Sequence, residues 1–209
     1  KIEDLLKEPL SPDARLVLLN AIYFKGLWDA PFQATLTRKT PFFNAGVQSV
    51  DVDTMHATLR VRYARDNETD ADVVDLPYAG NDYSMTILLP RERTGADALR
   101  QRLTWPLFQN LLSKLSAKNV DVALPKFKLE GEYNLKEVLS ELGATKAFDG
   151  SHADFSGITG NRDLYIDNVV HKAVVEVNEE GSEAAGATAV IFFTRGGAPN
   201  MPLAFVVDH

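Results

Sequence analysis

The sequence predicts an α+β fold with mainly antiparallel sheet, and three observations carry that expectation. Ala14 to Phe24 is an almost unbroken apolar run. Such a run fits a strand buried on both faces, although periodicity alone leaves a buried helix open. Two strand-like segments, Asp72–Tyr78 and Tyr83–Pro90, are joined by Ala79-Gly80-Asn81-Asp82, a tight hairpin signal. Along the chain come strands, then helices, a strand, a helix and a strand. That order separates the two kinds of element instead of alternating them.

Each element follows from local chemistry. Ile2, Leu5 and Leu6 stand at helical spacing before Pro9, the pattern of a helix ending. Within the run from Ala14 to Phe24, Asn20 is the polar exception; a buried amide needs partners or costs about 1–3 kcal/mol, which predicts a polar knot around it. Lys25-Gly26-Leu27-Trp28 ends that strand, with Trp28 expected in a core. Short strands are expected at Thr40–Phe43, Val47–Val52 and Leu59–Arg65. Ala96–Leu115 has helical period and is split by Pro106, with Thr104 as N-cap of the second half. Asn119–Leu129 returns to strand. Asn134 and Glu137 form a cap pair opening a helix that Gly143 closes, and the chain then loops from Phe148 to Gly160 into a strand over Val169–Val177.

Composition limits the choice of function. The 209 residues are 45% hydrophobic and 24% charged, as in soluble globular proteins. A net charge of −7 argues against nucleic acid or an anionic membrane as partner. Cysteine is absent, which excludes disulfides and thiolate chemistry. Both ends read as interrupted: no initiator Met opens the chain, and a β-type run, Leu203 to Val207, stops at His209. A 1–209 fragment is therefore not expected to fold properly alone.

Catalytic patterns are weak. Ser156, His171 and Asp154 could be assembled into a triad, but no Gly-x-Ser-x-Gly elbow occurs. His171 shares a strand face with Ala173, Val175 and Val177, the setting of a satisfied core histidine. His152 and Asp154 lack a third metal ligand in register. There is no phosphate loop, and Lys126 and Lys128 make no basic patch. No metal, cofactor or catalytic residue is expected. Asn67-Glu68-Thr69 is the one N-glycosylation sequon.

The remaining stretch is Asn178 to Gly197. It opens on acids, passes through small residues, becomes β-prone and ends on one arginine. A strand has period two, so Ser182, Ala184, Gly186, Thr188 and Val190 would share a face. All are small or β-branched and could enter a packed interior. Val190-Ile191-Phe192-Phe193 would be an exposed apolar edge unless something reads or covers it.

Glu179-Glu180-Gly181-Ser182-Glu183-Ala184-Ala185-Gly186-Ala187-Thr188 resembles the reactive-centre-loop hinge of an inhibitory serpin. Asn20-Ala21-Ile22-Tyr23-Phe24-Lys25-Gly26-Leu27-Trp28 resembles the family's central strand and the tryptophan after it. Leu124-Pro125-Lys126-Phe127, Asp154-Phe155-Ser156-Gly157-Ile158 and Val170-His171-Lys172-Ala173 resemble further family segments. The whole chain is similar to the middle and later part of a serpin, in the style of secreted arthropod or tick members.

The resemblance implies a suicide inhibitor of serine proteases, not an enzyme. The protease attacks the loop, and the cut loop inserts into the main sheet. In inhibitory serpins the scissile residue usually lies fourteen positions past the hinge glycine. From Gly181 that is Arg195, the only Lys or Arg after Lys172, with Gly196 on the leaving side. An arginine there implies a trypsin-like protease as partner, with Val190, Ile191, Phe192, Phe193 and Thr194 tuning the choice. Gly181 to Ala189 would be the hinge, anchored by Glu179 on Lys126 with Trp28 nearby. Asn20 and His171 would form the polar pair where the sheet opens, their helix partner lying outside the chain. Extended, about 14 residues reach ~46 Å. About 14 new backbone hydrogen bonds would contribute roughly 7–21 kcal/mol.

The resemblance further implies secretion and a monomer. It leaves a glycosaminoglycan site open, since the usual helix is not in this chain. A non-inhibitory serpin acting as a carrier is the main alternative, a chymotrypsin-like cut at Phe193 a lesser one.

Overall fold

The computed structural model describes residues 14, 16–24, 26–44, 46–181 and 201–209. The segment 182–200 lies outside the described residues. With it lie Ser182, Glu183, Ala184, Ala185, Gly186, Ala187, Thr188 and Ala189 of the expected hinge. The expected recognition residues Val190–Thr194 and the expected bond Arg195–Gly196 lie there too, as does the expected helix before Pro9. The chain forms two compact units, Lys1–Phe24 with Lys128–Val175, and Lys25–Phe127 with Glu176–His209.

In the first unit, β1 (Leu16–Tyr23), β8 (Ile166–Val177) and β7 (Phe127–Asn134) form a sheet in the order β1-β8-β7. β1 runs parallel to β8, its one strand partner among the described residues. The expectation of burial on both faces is corrected: Leu18, Leu19 and Ile22 are exposed, Ile22 by 52%. An apolar run records two apolar faces, but burial needs a layer on each, and none covers these side chains among the described residues. Asn20 is likewise exposed, so its expected burial does not hold.

A short helix, α3 (Lys136–Glu141), follows β7. Asn134 Oδ1 accepts from Lys136 N at 3.1 Å, and Gly143 past the helix end has φ +104°, a backbone state that favours glycine. The expected loop Phe148–Gly160 contains one further helical turn, α4 (Ser156–Thr159).

The second unit is organised around β3 (Gln48–Asp66), a 19-residue strand. The sequence reads it as two strands because Asp53, Thr54, His56 and Thr58 interrupt its apolar pattern. Partners keep it extended: β2 (Arg38–Asn44) along its first part and β6 (Ser116–Pro125) from Thr54 to Tyr63. β4 (Ala71–Pro77) and β5 (Ser84–Pro90) continue the sheet, and β9 (Leu203–Val206) closes its other edge in the order β5-β4-β3-β6-β9. All pairings in this sheet are antiparallel except β6 with β9, so it is mixed. The β4–β5 hairpin turns at Gly80 (φ +90°) and Asn81 (φ +61°).

α1 (Ala96–Arg102) and α2 (Trp105–Lys114) break before Pro106. Thr104 Oγ1 caps α2, accepting from Leu107 N at 3.4 Å. Leu111 and Leu115 pack with Ala64 and Val73 into a core. β4 is buried along nearly its whole length, including Asp72 and Asp75. Both acids are paired, Asp72 with Arg65 at 3.0 Å and Asp75 with Arg62 at 3.3 Å, which makes their burial tolerable.

Candidate functional site at the foot of the loop

The turn Asn178-Glu179-Glu180-Gly181 is where the described chain enters the expected hinge. Asn178 Oδ1 accepts from the amides of Glu180 (3.1 Å) and Gly181 (3.3 Å), the Asx geometry that this residue type favours. The turn is then fastened to the segment after Gly26. Trp28 N donates to Glu180 O at 2.9 Å, Trp28 Nε1 to Asn178 O at 2.9 Å, and Phe32 N to Glu179 O at 2.8 Å.

Trp28 is 4% exposed. It stacks on Tyr78 at 4.6 Å and 8°, and meets Phe32 edge-on at 6.4 Å. Burying the indole leaves its N–H in need of an acceptor, and the Asn178 carbonyl supplies it. A packed aromatic thereby fixes the loop's departure point.

Gly181 has φ +145°, and a Cβ there would stand 2.0 Å from Gly26 O. Two segments of the chain, at Gly26 and Gly181, pass too closely at this point for any side chain.

Glu179 lies in a cage of donors. Lys126 Nζ is 2.9 Å from Oε2 and 3.1 Å from Oε1, and Thr37 Oγ1 donates to Oε1 at 2.8 Å. Burial opposes the charge, but Lys126 and Thr37 outweigh it and hold the carboxyl below its ordinary pKa. Because the folded pKa is depressed, the contribution to stability is complete above the unfolded glutamate value, near ~4.3, and is lost as pH falls through the folded value. Glu179→Gln is expected to cost about 1.5–3 kcal/mol at pH 7 and progressively less below pH ~4.5. Urea unfolding of the full-length wild type and variant at pH 7 and pH 3.5 checks this; an equal deficit at the two values would contradict it.

The structure therefore brings Trp28, Lys126, Glu179 and Gly181 together. Thr37, Phe32 and Tyr78 join them, and nothing local in the sequence marks those three. Asn178 carried a detectable signal as the opening of an Asn-x-x-Gly turn.

In the first unit, the β1–β8 register sets Asn20 opposite His171. His171 stacks with Tyr133 at 6.2 Å, but its buried Nδ1 has no hydrogen-bond partner among the described residues. The expected satisfied histidine is thus unsatisfied at that atom.

The weaker candidates have structural uses. Ser156 Oγ donates to Asp154 at 2.6 Å, and Arg162 pairs with the same carboxylate at 2.8 Å. His152 Nδ1 lies 2.7 Å from Asp149. In the sequon, Thr69 is buried and gives its hydroxyl to Asp66 at 2.8 Å. The exposed Asn67 accepts from Arg91 at 3.0 Å.

A mixed sheet, a tryptophan-clamped turn and a lysine-caged glutamate stand where the described chain enters the segment 182–200. The family model described as "Serpin (serine protease inhibitor)" matches residues 1–209, and the chain belongs to the serpin family. It is 51% identical over 209 residues to Iripin-3 of Ixodes ricinus, covering 100% of this chain and 53% of that protein. It is 38% identical over 217 residues to intracellular coagulation inhibitor 1 of Tachypleus tridentatus, covering 100% and 52%. Human thyroxine-binding globulin, solved in complex with thyroxine, matches with TM-score 0.87 at 28% identity, covering 100% of this chain and 54% of that one. The chain spans about half the length of the curated relatives it matches.

Proposed function

We propose that the full-length protein is an irreversible, suicide-substrate inhibitor of trypsin-like serine proteases, cut between Arg195 and Gly196. The observation that carries this reading is the clamped turn at Asn178–Gly181. It fixes one end of a segment whose alternate residues Ser182, Ala184, Gly186 and Thr188 are small or β-branched and whose fourteenth residue past Gly181 is an arginine. The coagulation-inhibitor name of one relative supports the inhibitory class.

The protease serine Oγ bonds to the Arg195 carbonyl carbon, the bond to Gly196 nitrogen breaks, and the protease histidine passes the serine proton to that leaving amine. The acylated loop then enters the sheet before water can hydrolyse the ester. An anchor at Glu179 and Trp28 gives insertion a fixed starting point. Secretion and a glycan at Asn67 belong to the same reading.

Incubation of the full-length protein with trypsin or thrombin is expected to give an SDS-stable complex, and cleavage after Arg195 with no complex would sink the proposal. Ser182→Arg is expected to convert inhibitor to substrate, because an inward-facing guanidinium resists burial. The stoichiometry of inhibition should rise at least several-fold. The likeness to thyroxine-binding globulin favours a second reading, a carrier without insertion. Melting temperature before and after loop cleavage separates the two, since only insertion raises it.

A further inference from the structure

Two acids stand side by side at the loop's foot, and the fold satisfies only one of them fully. Glu179 and Glu180 are the corner residues of a four-residue turn that is closed in both directions. Asn178 N donates to Gly181 O at 2.9 Å, and Gly181 N donates to Asn178 O at 3.3 Å. Glu179 has Lys126 and Thr37 as donors. Glu180 fares differently: its Oε2 is shut off from solvent and has no hydrogen-bond partner among the described residues.

The backbone gives Glu180 little room to correct this. Its amide donates to Asn178 Oδ1 at 3.1 Å, and its carbonyl accepts from Trp28 N at 2.9 Å. On one side Glu179 O accepts from Phe32 N at 2.8 Å, and on the other Gly181 bridges to Leu27. The root of the side chain is therefore pinned, and the lysine at this corner is spent on Glu179. A buried acceptor without a donor forfeits its hydration and gains nothing in exchange, so it destabilises the state that contains it. Such groups are rare in folded proteins and call for a reason.

We infer that Glu180 is a positioning residue for loop insertion: its unpaired oxygen destabilises the foot of the uncut loop and so eases the foot's release once the loop is cut. The inference rests on the inhibitory reading above. In that reading the sheet opens where Asn20 meets His171, so the segments that continue those two strands, at Leu27 and Gly181, have to part as well. Parting lets water reach Oε2, and water supplies the missing donor. The relief comes only on the way to the inserted state, and a group shifts a balance only through such a difference between states. Glu179 acts in the opposite sense, since Lys126 and Thr37 hold the foot closed. Adjacent acids thus supply a hold and a release.

The test compares Glu180→Gln with Glu179→Gln in the full-length protein, with trypsin as the protease. Glu180→Gln keeps the side-chain shape and removes the charge. It is expected to raise the melting temperature of the uncut protein by about 1–3 °C, whereas Glu179→Gln lowers it. With trypsin, Glu180→Gln should raise the ratio of cleaved to trapped inhibitor about threefold or more, because slower insertion gives water longer to hydrolyse the ester. The rate at which intact inhibitor disappears should stay within about twofold, since attack at Arg195 precedes release of the foot. A residue with a merely structural role would lower the melting temperature and leave that ratio alone. A fall in the melting temperature of Glu180→Gln would mean that a donor from beyond this chain pairs with Oε2, and would overturn the inference. So would a rise with the cleaved-to-trapped ratio unchanged. If the wild type forms complexes and Glu180→Gln alters neither quantity, the release role falls and the inhibitory reading stands. If the wild type is cut without forming a complex, both fall.

Discussion

Arg195→Glu is expected to reduce the rate of trapping of trypsin and thrombin by at least 10³-fold while leaving the fold intact. A trypsin-like pocket ends in a buried carboxylate, and the arginine is what neutralises it. Removing one partner of a desolvated charge pair costs about 2–5 kcal/mol, and reversing the charge adds repulsion. A 10³-fold loss corresponds to about 4 kcal/mol, which lies inside that range. Arg195→Phe sharpens the test, since it should move trapping towards chymotrypsin-like enzymes with the stoichiometry nearly unchanged. Retained trapping of trypsin by Arg195→Glu would show that the cut lies elsewhere, and mass spectrometry of the released peptide would locate it.

Gly181→Val should produce the largest structural effect of any single change at the loop's foot. The added Cβ would fall 2.0 Å from Gly26 O and 2.7 Å from Leu27 Cα, both backbone atoms that cannot swing aside. The conformation at φ +145° is also one that β-branched residues avoid. Separation of the two segments would forfeit the Trp28 N to Glu180 O bond and loosen the indole's hold on Asn178. The expected loss is about 3 kcal/mol or more, combining backbone strain with lost hydrogen bonds. For a full-length protein about twice the length of this chain, as its relatives are, that is roughly a 3–6 °C fall in melting temperature. Calorimetry of the full-length variant measures it. A fall below 2 °C would mean that the turn tolerates a side chain and that Gly181 does not pin it. Gly181→Ala meets the same clash and should lie close to the valine variant, because the first carbon is the one that collides.

The sequence was most informative where local chemistry acts alone. Pro106 broke the helical run, Thr104 capped its second half, and the Gly80–Asn81 turn made the hairpin, each through contacts within a few residues. It was least informative where a distant partner decides the outcome. β3 read as two strands because its middle is polar, yet β2, β6 and β4 between them hold it extended throughout. β1 read as doubly buried because it is apolar on both faces, yet among the described residues it pairs with β8 alone and leaves Ile22 half exposed.

The loop's foot divides in the same way. Small residues at Ser182 and from Ala184 to Ala189, one arginine fourteen residues past Gly181 and an acid at Glu179 are properties of the chain itself, legible without coordinates. Which lysine receives that acid is not evident from the residues alone. Lys126 and Glu179 are 53 positions apart, and Thr37 and Glu179 are 142 apart. Family likeness pointed to Lys126; nothing pointed to Thr37, or to Tyr78 as the stacking partner of Trp28. Composition and short-range pattern determined what kind of loop this chain carries. Tertiary structure decided what clamps the turn at its start, because burial and long-range pairing depend on neighbours that one-dimensional order does not reveal.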